Sequence, residues 1–328
     1  MDDGAVLFMR HWPLPETGEA PEKKQIRGLV HIIHGMAEHS GRYERLAGRL
    51  NACGFEVWAA DQRGHGRTAD PAYNDPGKGG LLGHCHDGDG FRRVTADIDC
   101  INRQLRKENP GVPIFLLGHS WGSFIAQNYI ETFGGRFPGS SDPVKLAGCI
   151  LSGTRGPAGI KTAAAVPVMS FLAFIKGSRK GSSMARAIAD GPYNKPFRPN
   201  RTSFDWLSRD NAEVDAYIED PLCGNLCSSG FYKDLANGLK KIHQMESLER
   251  ISIELPVYVF SGSADPVGEM GESTTALVNT YQKIGIKDLE FVLYPDARHE
   301  TLNETNREEV TANLISWLIK HSADTNIR

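Results

Sequence analysis

Ile114-Phe115-Leu116-Leu117-Gly118-His119-Ser120-Trp121-Gly122 reads as a buried strand that turns sharply into a helix beginning near Trp121. A serine set between two glycines on such a turn is pushed out of the backbone. The glycines are needed because side chains there would collide with neighbouring backbone. The Trp121 amide, at the start of a helix, points to where negative charge would develop if Ser120 attacked a carbonyl.

Upstream of this turn, Phe91, Val94, Ile98, Ile101 and Leu105 form one face of a long helix that Pro110 and Gly111 end. Before it, Val6 to Trp12 reads as an edge strand, and Gly28 to Ile33 and Phe55 to Ala60 as further strands. Between the last two, Tyr43, Leu46, Ala47 and Leu50 predict a helix from about Gly41 to Asn51, with Ser40 as N-cap and Gly54 as C-cap residue. Downstream, Leu146 to Leu151 predicts another strand. Val257 to Phe260, a helix over Glu272 to Ile284, the strand Leu289 to Tyr294 and a closing helix carrying Val310, Leu314, Trp317 and Leu318 complete the chain. Alternating strands and helices, with nearly continuous apolar strands, predict an α/β fold with a mostly parallel central sheet flanked by helices. The alternation breaks over residues 153–253, where Pro157, Pro167, Pro192, Pro196, Pro199 and Pro221 interrupt short helical stretches. This predicts a core of residues 1–152 and 254–328 with an inserted helical cap at 153–253.

Serine needs a base to take its proton and a carboxylate to hold that base in the correct tautomer. His299 lies in the loop after the last strand, at the edge where a parallel sheet presents functional groups. Asp265 follows the strand before it and precedes His299 in chain order, as this fold's acid should. Asp296 and Glu300 compete for the role but lie too close to His299 in sequence to reach its ring easily. The loop His34-Gly35-Met36-Ala37-Glu38-His39 follows an early strand, so the Met36 amide is the expected second oxyanion donor beside that of Trp121. His34 is expected to support that loop, and Asp61 to Gly66 to form a tight, internally hydrogen-bonded turn.

With 328 residues, 40% of them hydrophobic, the chain can bury a large core. A net charge of -3 with dispersed lysines and arginines gives no footprint for nucleic acid. The start Met1-Asp2-Asp3-Gly4 lacks the basic and apolar segments of a secretory signal, so a cytoplasmic location is expected. Cys53, Cys85, Cys100, Cys149, Cys223 and Cys227 are expected as reduced, mostly buried thiols. Cys223 and Cys227 make a weak metal signal, and His84-Cys85-His86-Asp87 reads as loop chemistry because ligands so close in sequence do not readily converge on one ion.

His34-Gly35-Met36-Ala37-Glu38-His39-Ser40-Gly41-Arg42-Tyr43, the Asp61 to Gly66 turn, Gly118 to Gly122, Gly262 to Pro266 and His299 together resemble the monoacylglycerol lipase and lysophospholipase-like branch of the α/β-hydrolases. Ser208-Arg209-Asp210, Val214-Asp215 and Asp220-Pro221-Leu222 resemble it too. The resemblance implies an α/β-hydrolase fold, Ser120 as nucleophile, Asp265 as acid, His299 as base, and Met36 and Trp121 as oxyanion donors. It implies a hydrolase of small-molecule acyl esters of monoacylglycerol or lysophospholipid type, working through an acyl-enzyme without metal or organic cofactor. An aminopeptidase on the same triad remains open, with Glu213, Asp215 or Glu219 receiving the amine, as does a ligand-sensing protein of this fold. The apolar stretch Ala163 to Ile175 is too short for a membrane span, and two readings stay open: a helix simply buried against the core, or a wall of an acyl pocket that touches lipid surfaces transiently.

Overall fold

The computed structural model describes residues 1–15, 26–134, 144–157 and 160–323, with side chains outside 160–163 and 323. The strands are β1 (Met9–Trp12), β2 (Gly28–Ile33), β3 (Phe55–Ala60), β4 (Ile114–His119), β5 (Gly148–Ser152), β6 (Val257–Gly262) and β7 (Leu289–Tyr294). They form one sheet in the order β1-β3-β2-β4-β5-β6-β7. Only β1 runs antiparallel, against β3. Helices flanking or preceding these strands are α1 (Glu44–Ala52), α2 (Gly90–Glu108), α3 (Trp121–Thr132), α9 (Glu272–Lys283) and α10 (Arg307–Ala323). This is the α/β-hydrolase architecture.

Alternate residues of the central strands feed two cores, as the two-residue period of a strand requires. Leu29, Ile33, Leu116, Leu151 and Val259 meet Ile98, Ile125 and Leu277 on one face; Val30, Ile32, Phe115, Ile150 and Phe260 meet Leu46, Leu50, Leu314 and Trp317 on the other. Burial on both faces explains why these strands are continuously apolar. The register sets Ile33 beside Gly118, and His119 beside Ser152, so the carboxyl ends of β2, β4 and β5 form one edge.

Two local expectations change. The edge strand starts at Met9, not Val6, because the Phe8 amide bonds the Thr68 hydroxyl (2.8 Å) and the Val6 amide the Asn74 side chain (3.4 Å). Ser40 does not cap α1. A 3-10 turn over Ser40–Tyr43 precedes that helix, His39 Nδ1 accepts from the Gly41 amide, and the Ser40 hydroxyl donates to Asp61 at 2.5 Å. Gly54, at φ +87°, supplies the left-handed residue just past the helix.

Residues 153–253 add no strand to the sheet among the described residues. They carry α4 (Ile160–Lys176), α5 (Ser183–Ala189), α6 (Asn211–Glu219), α7 (Ser229–Ile242) and α8 (Met245–Leu248). Pro167 lies inside α4 instead of ending it. Met169, Leu172 and Ala173 are buried along that helix, which packs on α7, and this packing carries it past the proline. α7 in turn lies on α2 and α3.

Candidate active site

Ser120 sits at φ 51°, ψ -121°, a conformation that costs a non-glycine residue on the order of 1–3 kcal/mol. The residues two places to either side of it, Gly118 and Gly122, cannot carry side chains. A Cβ on Gly122 would run into the Ile33 carbonyl oxygen, and one on Gly118 into that of Gly122. The strained turn therefore rests on β2 and β4 lying side by side.

His299 Nδ1 stands 3.0 Å from Asp265 Oδ1, both side chains buried. Asp265 also accepts from the Ser261 hydroxyl and the Val267 amide, each at 2.9 Å, so the carboxylate is held before it meets the imidazole. Burial alone would raise the Asp265 carboxyl, but the facing His299 and these bonds hold it below its ordinary value. Burial would likewise lower His299, yet the Asp265 charge and hydrogen bond outweigh it and raise the imidazole. An Nδ1–H directed at Asp265 leaves Nε2 as the basic nitrogen. Ser120 and His299 border one cavity of about 480 Å³ that is open to solvent, together with Gly35 and Met36. Neither rival acid is placed to replace Asp265. Asp296 is exposed with its amide on the Ser263 hydroxyl, and the Glu300 carboxylate is gripped by Arg42.

The loop after β2 explains the His34 to Tyr43 motif. His34 Nδ1 donates to the Gly35 carbonyl (2.8 Å) while Nε2 accepts from the Gln62 amide (2.9 Å), so His34 braces the loop. Glu38 accepts from the Gly35 amide, from the Tyr43 hydroxyl (2.9 Å) and from Arg42 (2.7 Å). Gln62 takes the Trp121 indole N–H at 2.9 Å and donates to the His34 carbonyl at 2.6 Å, joining the two expected oxyanion segments. The Asp61 to Gly66 turn is internally bonded through the His65 amide, which donates to the Gln62 carbonyl (3.0 Å), while Asp61 ties it outward by accepting from Ser40 and the Arg67 amide (2.7 Å), and its carbonyl from Thr68 (2.6 Å).

Several residues near the cavity escaped sequence reading. His119 borders it with ring centroids 4.9 Å from His299, and burial followed by the His299 charge pushes it down to about 4, so it is neutral at pH 7. The Trp206 ring lies 5.0 Å from that of His299, and Tyr217 bonds the Ala37 carbonyl at 3.0 Å. These contacts come from far along the chain, and only Glu38 and Arg42 had a local signal, their places in the motif. The cluster at His84 behaves as loop chemistry: His84 bonds Ser228 (3.0 Å) and Asp87 (3.2 Å), and Asp87 pairs with Arg179. Cys223 lies near His39 and Asp220, whose side chains bond each other at 2.8 Å, and Cys227 is not part of that group.

The acyl-wall expectation for α4 does not hold for Phe174, which is 87% exposed; Leu172 is buried in the main core instead. Among the described residues, none that borders the Ser120 cavity lies on α4. Glu213, Asp215 and Glu219 also lie outside its border, and the first two pair with Arg45 and Arg201.

The sequence pattern of the family described as serine aminopeptidase, S33, matches residues 24–306. The chain belongs to that family. It is 27% identical over 297 residues to a monoacylglycerol lipase of Mycolicibacterium smegmatis, covering 90% of this chain and 89% of the relative. It is 28% identical over 272 residues to the human monoglyceride lipase, covering 80% and 71%. Of solved structures, a highly thermostable carboxyl esterase from Bacillus coagulans in complex with glycerol superposes with a TM-score of 0.82 at 26% identity, covering 97% of this chain and 98% of the esterase.

Proposed function

We propose that this S33-family member is a carboxylic ester hydrolase that cleaves monoacylglycerol- or lysophospholipid-like esters through an acyl-enzyme on Ser120. The observation that carries the reading is one cavity bordered by a serine on a strained, glycine-flanked turn and by a histidine anchored on a buried aspartate. The lipase and esterase relatives support ester chemistry.

In this reading Ser120 Oγ attacks the ester carbonyl while His299 Nε2 takes its proton. The Met36 and Trp121 amides receive the oxyanion, and the imidazolium is stabilised by Asp265. His299 then protonates the leaving alcohol, and a water activated by the same nitrogen releases the acid. Each step uses only groups of this chain. Residues 153–253 act as the cap over a core of 1–152 and 254–328, supplying Trp206, Tyr217 and Tyr232 to the cavity.

No helix among the described residues is long and apolar enough to cross a membrane. We place the protein in the cytoplasm, touching lipid surfaces transiently through α4, where Phe171, Phe174 and Ile175 are exposed beside Lys176 and Arg179. A fluorophosphonate should label Ser120 in the parent and leave Ser120→Ala unlabelled. A panel of monoacylglycerols, lysophospholipids, short esters and aminoacyl amides then tests substrate class. Labelling elsewhere, or turnover confined to aminoacyl amides, would overturn the reading.

A further inference from the structure

Gln62, two residues past β3, is buried, and both polar atoms of its side chain are engaged. Its backbone amide donates to His34 Nε2 (2.9 Å), its side-chain Nε2 donates to the His34 carbonyl (2.6 Å), and its Oε1 accepts the Trp121 indole N–H (2.9 Å). A backbone amide can only donate, so His34 Nε2 is the lone-pair nitrogen and Nδ1 carries the proton. That proton goes to the Gly35 carbonyl at 2.8 Å. The Gly35 carbonyl and the Met36 N–H belong to one planar peptide, so the bond that fixes the first also fixes the direction of the second.

The same residue acts on the helix that follows Ser120. Trp121 opens α3, and its amide comes directly after a serine whose φ of 51° persists only because the surroundings hold it. Any relaxation of Ser120 turns the peptide that carries the Trp121 N–H. The indole resists that turn: it packs against Phe91 (5.1 Å between centroids) and Phe231 (4.8 Å), and its N–H is anchored on Gln62. The His34 carbonyl is itself close against the helix start, since a Cβ on Gly122 would stand 2.6 Å from it. We propose that Gln62 is a positioning residue that sets the direction and spacing of the Met36 and Trp121 amides. This rests on ester hydrolysis at Ser120 with those two amides receiving the oxyanion.

Gln62 lies outside the border of the Ser120 cavity, and none of its bonds reaches Asp265 or His299. It therefore acts on neither substrate binding nor proton transfer. Charge on the carbonyl oxygen develops in the transition state, so a misdirected pair of amides lowers kcat and leaves KM in place. A residue that merely filled space would give way to methionine, of similar volume, with little loss of turnover.

The test measures kcat and KM on a short soluble ester, and the affinity of a trifluoromethyl ketone whose adduct with Ser120 carries the oxyanion. The variants are Gln62→Met, Trp121→Phe, which keeps an aromatic ring and the backbone amide but removes the N–H donor, and the two combined. Each single variant should lose roughly 10- to 100-fold in kcat, less than a missing oxyanion donor costs, with KM within about threefold. Gln62→Met should lose more, because it also frees the His34 carbonyl. The double variant should fall no more than about threefold below it, since both changes break one link. Ketone affinity should fall in step with kcat, and the pH inflection of kcat/KM should stay where the parent has it. Parental kcat in either variant, multiplying losses in the double variant, a change confined to KM, or unchanged ketone affinity would overturn the positioning role while leaving ester hydrolysis standing. If Gln62→Met does not fold, Trp121→Phe decides by the same readouts. Absence of ester turnover and of Ser120 labelling in the parent would overturn the hydrolase reading and this role with it.

Discussion

Arg42 and Glu300 are joined by two hydrogen bonds, 2.6 and 2.7 Å long, across 258 residues of chain. The guanidinium also holds Glu38, so one cation ties the Gly35–Met36 loop to the loop carrying His299. Burial would raise both carboxyls, but Arg42, together with His119 and, at Glu38, with His34 and the Gly35 amide, keeps each below its ordinary value. Arg42→Ala leaves two buried carboxylates without their cation and should cost about 3–5 kcal/mol of stability. Their pKa values should then rise in the folded state. The folded chain would bind more protons than the unfolded one, so the variant should lose further stability as pH rises. Urea melts at pH 5.5 and 8 measure this; a pH-independent loss would be contrary to the account.

Gly122→Ala should abolish labelling of Ser120 and cost more than about 2 kcal/mol, because the added Cβ meets backbone oxygens of Ile33 and His34, which cannot rotate away. Ser120→Gly should be at least as stable as Ser120→Ala, since glycine adopts φ 51° without strain. Thermal melts of the three variants check the order.

His299 must be neutral to accept a proton, and its pKa is raised above the usual 6.5. Activity as kcat/KM should therefore climb with pH through an inflection above 6.5 and level off beyond it. Asp265→Asn removes the charge that raises the imidazole while leaving its burial, so the inflection should move to lower pH. The plateau should fall by roughly ten-thousand-fold as the wrong tautomer is favoured. A full pH–rate profile of both proteins decides it; near-parental rates in the variant would assign the acid elsewhere.

Phe171→Ser combined with Phe174→Ser alters side chains that are 62% and 87% exposed, so melting temperature and turnover of a soluble short ester should change little. Co-sedimentation with anionic vesicles should drop at least about threefold, because apolar insertion supplies much of such binding. Unchanged sedimentation would remove α4 from any lipid contact.

Local chemistry made much of this molecule readable in one dimension. The β2, β3 and β7 bounds follow from apolar-rich runs between turn residues, and in β2, buried along its whole length, burial on both faces leaves little choice of residue type. Ser120, Asp265 and His299 were legible because each follows a strand, and parallel strands deliver those positions to one edge. The Arg42–Glu300 link and Trp206 beside His299 were not, since each depends on how residues 153–253 settle on the core. Phe174 shows the limit from the other side. Hydrophobicity put it in a pocket, and the packing of α4 on α7 turned it to solvent.

Ala37 adopts φ 54° without being glycine, and its carbonyl accepts from two partners in the inserted region, the Gly224 amide (2.9 Å) and the Tyr217 hydroxyl. Lifting that region away from the sheet therefore breaks the bonds that hold the residue next to Met36 in its unfavourable backbone state. In the proposed mechanism, any opening of that region for product would also undo the backbone state beside the expected oxyanion donor, so the two would be one thermodynamic event. On that reading, ligands that slow amide exchange at Gly224 should also hold the Met36 amide in place, coupling binding to catalysis through one carbonyl oxygen.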